Sequence, residues 1–338
     1  YGRTVFWMAC VLLAIANVVN MAADLGGMAY ATTMVTGLPV AWGTPFYAGS
    51  IAAIMALSSY RWIAHVFKGL TLVLFTYVIA AFLARPDWLS VVLRTMLPAL
   101  PRSREHMATL VAIFGTTISP FLFFWQATQE VEEEREQGRT TVAMRQGTTE
   151  DEERSSRIDV IAGMLFSNLI MYFIILTTAA TLHAHGKTSI ETVEQAAEAL
   201  RPLAGKATYL LFTVGLIGTG MLSVPVLGAS TAFAIAEGAG WRNSLKYRPH
   251  GAPEFYTVLI VALGLAAGLN YVGFGVVPML FWSAVINGVL APPLIVLVVL
   301  LSGNRRIMLD RPASPWVRGL GWLAAGVMTA AVGAMLLL

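Results

Sequence analysis

Apolar residues run along this chain in long blocks, separated by short polar or Gly/Pro-containing breaks rather than alternating as in a soluble strand or helix. Most of the blocks approach or exceed the roughly 20 residues that an α-helix needs to cross a bilayer. The pattern predicts about nine spanning helices, at about 5–35, 44–60, 63–84, 106–130, 158–182, 207–237, 254–270, 275–301 and 316–337. The longest polar connection, 132–157, is dense in Glu, Arg, Thr and Gln and reads as a solvated loop, and 183–206 reads as a second one. The expected fold is all-α: one polytopic transmembrane domain over residues 1–338.

Composition supports this solvent assignment. Hydrophobic residues make up 57% of the chain and charged residues 12%, whereas a soluble domain carries roughly 25% charged residues. The formal charge of +3 resides in short connections rather than on a continuous basic face, so lipid and not nucleic acid is the expected partner. Alternate connections hold thirteen Lys and Arg on one side against seven on the other. The positive-inside rule then places the N-terminus and 132–157 in the cytoplasm and 183–206 outside, in a multi-pass protein of the cell membrane. Lys68, near a cytoplasmic helix end, is expected to snorkel to the interface. The chain opens on Tyr1 with no cleavable leader ahead of the first block, which reads as part of a longer protein. Its single cysteine, Cys10, rules out an internal disulfide. No nucleophile stands beside a base and no His-Glu-x-x-His motif occurs, so an enzyme is not expected.

Candidate chemistry lies where polar groups are expensive. Asn17, Asn20 and Asp24 recur at spacings of three and four, on one face of the first span. An ionisable group at that depth marks a polar path through the protein. The same pattern also serves as a polar network joining two helices. The fourth span carries Gly115-Thr116-Thr117-Ile118-Ser119-Pro120-Phe121. Pro120 has no amide hydrogen, so the Thr116 carbonyl loses its helical partner and needs a neighbour, a water or an ion. A kink satisfied by Thr117 and its neighbours is the plainer alternative. Broken helices of this kind coordinate cations in transporters. Pro292-Pro293 beside Asn287, and Pro225, repeat the argument more weakly. Gln126, Gln129, Glu130 and Glu133 continue one face of the fourth span and suit either an exit path or a helix emerging into water. His183 and His185 lie in a polar connection without an acidic neighbour at ligand spacing and read as surface histidines.

Taken together, Ala22-Ala23-Asp24-Leu25-Gly26-Gly27-Met28, the Gly115–Pro120 segment and Asn287-Gly288-Val289-Leu290-Ala291-Pro292-Pro293 resemble the NRAMP family, and most closely its NRAMP-related bacterial branch. The resemblance begins just before the family's third helix and runs to near Leu338, covering its helices 3 to 11. It implies a LeuT-type bundle of two inverted repeats, and a secondary transporter that moves divalent ions such as Mn²⁺, Mg²⁺ or Fe²⁺ inward. The metal is then cargo, and no cofactor is implied. The matching positions make Thr116, Thr117, Ser119 and Asn287 the metal-site candidates, with Asp24, Asn20, Asn17, Pro120, Phe121 and Gln126 along the pathway. Ser119 stands where the family has methionine, Phe121 where it has histidine, and Gly27 where it has an acid. The first replaces a soft thioether by a hard hydroxyl, and the others remove groups tied to proton coupling. The family's Asp-Pro-Gly motif, on its first helix, lies outside this chain. An amino-acid or organic-cation carrier of the same fold is the alternative, with Phe121, Phe123, Phe124 and Trp125 lining its pocket.

Overall fold

A computed structural model describes residues 2–57, 74–97, 103–186, 189–200, 205, 208–245, 247–309 and 311–338. Among them the chain forms helices α1 (Arg3–Thr36), α2 (Val40–Leu57), α3 (Phe75–Leu83), α4 (Trp88–Met96), α5 (Arg104–Thr117), α6 (Pro120–Glu136), α7 (Glu150–Thr181), α8 (Val193–Ala197), α9 (Thr208–Ala239), α10 (Pro253–Leu269), α11 (Val276–Ser302), α12 (Arg305–Met308) and α13 (Pro315–Leu337). No strand occurs among the described residues. Among the described residues, seven spans are long and apolar enough to cross a membrane, counting α5 and α6 as one. The predicted helix at 254–270 is α10, whose 17 residues reach only about 25 Å, short of the roughly 30 Å hydrocarbon core. Of the predicted 63–84 span, α3 is its latter part, and 63–73 with Lys68 lie outside the described residues.

The centre of the bundle is the antiparallel pair α1 and α9. Cys10 Sγ contacts the Ala234 carbonyl at 3.6 Å near one end, and Thr213 Oγ1 donates to the Ala31 carbonyl at 2.9 Å near the other. Small residues let the helices approach, as is usual in membranes where apolar burial alone gives little drive. Gly220 lies under Met28 and Gly228 under Leu259 of α10, each at a distance that a Cβ would violate. Helices α2 and α10 complete this cluster around Met21, Leu25, Phe233 and Phe255. A second group consists of α5, α11 and α13, packed through Val111, Ala284, Val285 and Ala331. Helix α3 packs against α7, where Thr177 Oγ1 donates to the Tyr77 carbonyl at 2.8 Å.

The stretch 132–157 is not a solvated loop throughout. Its first residues extend α6 to Glu136 and its last ones start α7 at Glu150. The reason is local. Arg135 pairs with Glu132 at 2.5 Å one turn away, and Thr149 and Glu152 form a reciprocal capping box, with Arg157 pairing to Glu153 at 2.5 Å just beyond. Hydrophobicity alone hides a helix whose end projects into water. Thr149→Ala should weaken this start by about 1 kcal/mol, seen as several-fold faster amide exchange over Glu150–Glu153. Unchanged exchange there would remove the cap from the account.

Three of the polar connections meet one another. Arg135 reaches the Asn243 carbonyl at 3.2 Å, Ser244 donates to Glu132 at 2.6 Å, and Arg311 pairs with Glu153 at 3.2 Å. Tyr271 donates to the Ala41 carbonyl at the opposite end. The stretch 132–157 and the connections bearing Asn243, Ser244 and Arg311 therefore share one end of the bundle.

Candidate functional site

The fourth span is interrupted where its proline predicts. Helix α5 ends at Thr117, Ile118 (φ −117°, ψ 71°) and Ser119 (φ −77°, ψ 134°) leave helical geometry, and α6 restarts with Pro120 in its first turn. That is the helix position proline favours, because its fixed φ suits the turn and its absent N–H is not missed there. The Thr116 carbonyl, four residues back, receives no amide from Pro120. By contrast α11 and α9 run on unbroken through Pro292-Pro293 and Pro225.

The side chains around the break are oxygen-rich. Ser119 is buried and its Oγ donates to the Gly115 carbonyl at 2.8 Å. The Thr116 and Thr117 hydroxyls both donate to the Ile113 carbonyl, at 2.9 and 2.8 Å. Each also lies close to the thioether of Met171 on α7, at 3.7 and 3.6 Å. Opposite, a Cβ on Gly115 would stand 2.0 Å from the Ala284 carbonyl oxygen and 2.4 Å from the Gly288 nitrogen. A Cβ on Gly288 would stand 2.2 Å from the Val111 carbonyl oxygen. The two backbones thus touch, and the turn of α11 bearing Asn287 is pressed onto the last turns of α5. Asn287 is 3% exposed, and its Oδ1 is buried without a hydrogen-bond partner among the described residues. A buried acceptor left open in this way is costly and uncommon.

The polar face of α1 turns to α9. Asn17 is buried and donates from Nδ2 to the Leu227 carbonyl at 3.1 Å and to Thr231 Oγ1 at 2.9 Å. That bonding is the helix-joining role, though its Oδ1 has no partner among the described residues. Asn20 is half-buried, and half-buried Asp24 accepts a hydrogen bond at Oδ2 from Ser223 Oγ on α9. Gly26 leaves room for Asn270, whose Nδ2 donates to the Ala22 carbonyl at 2.9 Å, and Gly27 abuts Leu216. Phe121 and Phe124 pack on Cys10, Leu13 and Ala234, and Phe123 on the α11–α13 cluster. Gln126 opens instead on a cavity of about 1080 Å³ between α6 and the start of α7, lined also by Gln129, Glu130, Glu133, Glu152 and Asp159. There its Nε2 donates to Glu130 at 3.1 Å, and Ser156 donates to the same carboxylate oxygen at 2.7 Å. His183 is exposed, and no group of three metal-ligating His, Cys, Asp or Glu residues occurs among the described residues.

Sequence reasoning missed Ser223 and Met171. Ser223 is a polar residue two places before Pro225 in an apolar helix, a signal that was legible. A lone methionine in an apolar run gives none.

The whole chain, residues 1–338, matches the family model described as Natural resistance-associated macrophage protein-like. A divalent metal cation transporter MntH of Klebsiella pneumoniae is 25% identical over 98% of this chain and 76% of its own length. One from Deinococcus radiodurans is 29% identical over 66% of this chain and 50% of its own. The crystal structure of the Eremococcus coleocola manganese transporter superposes over 98% of this chain and 71% of that one, with a TM-score of 0.63 at 16% identity. The last comparison establishes the fold as the LeuT-like bundle of that group. From its interrupted fourth span to its full-length family match, this is a membrane transporter and not an enzyme, and it belongs to the NRAMP family.

Proposed function

We propose that the protein imports divalent metal ions, Mn²⁺ and Mg²⁺ with Fe²⁺ as a third, through a mid-membrane site at the α5–α6 interruption, with its N-terminus in the cytoplasm. The observation that carries this reading is the interruption itself, where a main-chain carbonyl is released beside small hydroxyl and amide side chains. Relatives named as divalent metal and manganese transporters support the substrate class. In this reading the Thr116 carbonyl, the Thr117 and Ser119 hydroxyls and Asn287 Oδ1 are ligands. Asp24 and Asn20 supply polarity along the path, Asn17 holds α1 to α9, and Gln126 stands at the inner mouth. Phe121 seals the site and contributes no donor.

Such a set is hard. A hydroxyl at Ser119 discriminates poorly between Mn²⁺ and Mg²⁺, because both accept oxygen ligands. The aromatic run required by the organic-substrate alternative packs mainly into helix interfaces, which favours the ion. Metal uptake into proteoliposomes containing the full-length protein tests the proposal. Mn²⁺ should enter, excess Mg²⁺ should slow it, and Ser119→Met should weaken that competition about tenfold. Amino-acid uptake without metal uptake would overturn the reading, and Mn²⁺ uptake indifferent to Mg²⁺ would overturn the hard site alone.

A further inference from the structure

The position that the sequence fills with Ser119 leaves the α5–α6 segment without sulfur, yet a sulfur stands beside it. Met171 projects from α7, a helix whose apolar surface is otherwise largely exposed. Its Sδ lies 3.7 Å from Thr116 Oγ1 and 3.6 Å from Thr117 Oγ1, on the last turn before the break. A hydroxyl has one proton to give. In both threonines that proton goes to the nearer Ile113 carbonyl, at 2.9 and 2.8 Å. The sulfur therefore keeps its lone pairs, and the hydroxyl oxygens keep theirs. Donors 3.6–3.7 Å apart subtend roughly a right angle at an ion with bonds of about 2.3–2.6 Å. Each sulfur–hydroxyl pair is thus spaced as two neighbouring ligands of one ion.

We infer that Met171 is the soft ligand of the cation site, supplied from α7, and that it tilts an otherwise hard oxygen set toward borderline and soft divalent ions. This rests on the proposed transport of metal through the α5–α6 interruption, and it names what sets preference there. A thioether gains little from Mg²⁺ or Ca²⁺ and much more from Cd²⁺, with Mn²⁺ and Fe²⁺ between. Met171 thereby lets the site keep a metal preference despite Ser119.

The test is Met171→Leu in the full-length protein, a swap that conserves volume and removes only the donor. In proteoliposomes the ratio of Cd²⁺ to Mg²⁺ uptake should fall about tenfold in the variant, and the ratio of Mn²⁺ to Mg²⁺ uptake by less. Cadmium-edge X-ray absorption of the purified protein should show a sulfur neighbour in the parent that is absent from the variant. An unchanged uptake ratio, or a sulfur neighbour retained in Met171→Leu, overturns the inference while leaving metal transport standing. A parent protein that takes up no divalent metal overturns both. If Met171→Leu fails to fold, Met171→Gln is read in its place and must lose the sulfur neighbour in the same way.

Discussion

Gly115→Val is expected to yield almost no folded protein. Its Cβ would lie 2.0 Å from the Ala284 carbonyl oxygen and 2.4 Å from the Gly288 nitrogen, both main-chain atoms that cannot rotate away. Ordinary overpacking of a core costs about 1–3 kcal/mol because side chains yield. Here α5 must leave α11, which also breaks the packing of α13 on both. The loss should exceed that range and approach the whole stability of a marginal fold. Size-exclusion profiles and melting in detergent measure it. Gly163→Ala is the matched control, since a Cβ there meets nothing within 4 Å, and it should behave as the parent. A Gly115→Val protein that elutes and melts like the parent would show that the two helices do not touch.

Asp24→Asn is expected to fold normally and to lose nearly all transport. The amide oxygen still accepts from Ser223, so the α1–α9 contact survives. Only the negative charge disappears. A carboxylate at membrane depth is expensive to hold and is tolerated where it faces a polar interior or a passing cation. Removing it relieves that cost, so melting should hold or rise, while Mn²⁺ uptake should drop about tenfold or more, as losing one charge contact to a desolvated ion implies. Ser223→Ala, which leaves the charge in place, should lose much less. Uptake by Asp24→Asn equal to the parent's would remove the carboxylate from the pathway and leave it a packing group.

How far the sequence predicts these results depends on which interaction sets each feature. The span pattern was readable because the bilayer imposes one length and one solvent on every helix. The interruption at Ser119-Pro120 was readable because proline acts locally. Asn17 was assigned to a shared face with Asp24, and the face is real, but only packing shows that Asn17 ties α1 to the Leu227 carbonyl while Asp24 meets a hydroxyl. The helical ends of 132–157 were hidden because ion pairs and a capping box, not hydrophobicity, sustain them. Met171 was invisible for another reason. Its neighbours, Thr116 and Thr117, lie more than fifty positions away in the chain. A thioether in an apolar helix looks like any other filler until the fold sets it against a polar turn.

The Gly115–Gly288 contact has a mechanical side. Main chain against main chain leaves no compressible layer between α5 and α11, and α13 packs on both. Helix α6, beyond the break, rests chiefly on α9, with Phe121 and Phe124 set against Cys10, Leu13 and Ala234. Ile118 and Ser119 are thus the joint between two differently mounted levers. Rotation of one mounting against the other must be absorbed in their φ and ψ angles. The Thr116 carbonyl lies at that fulcrum, so the same rotation would redirect the oxygen exposed by Pro120.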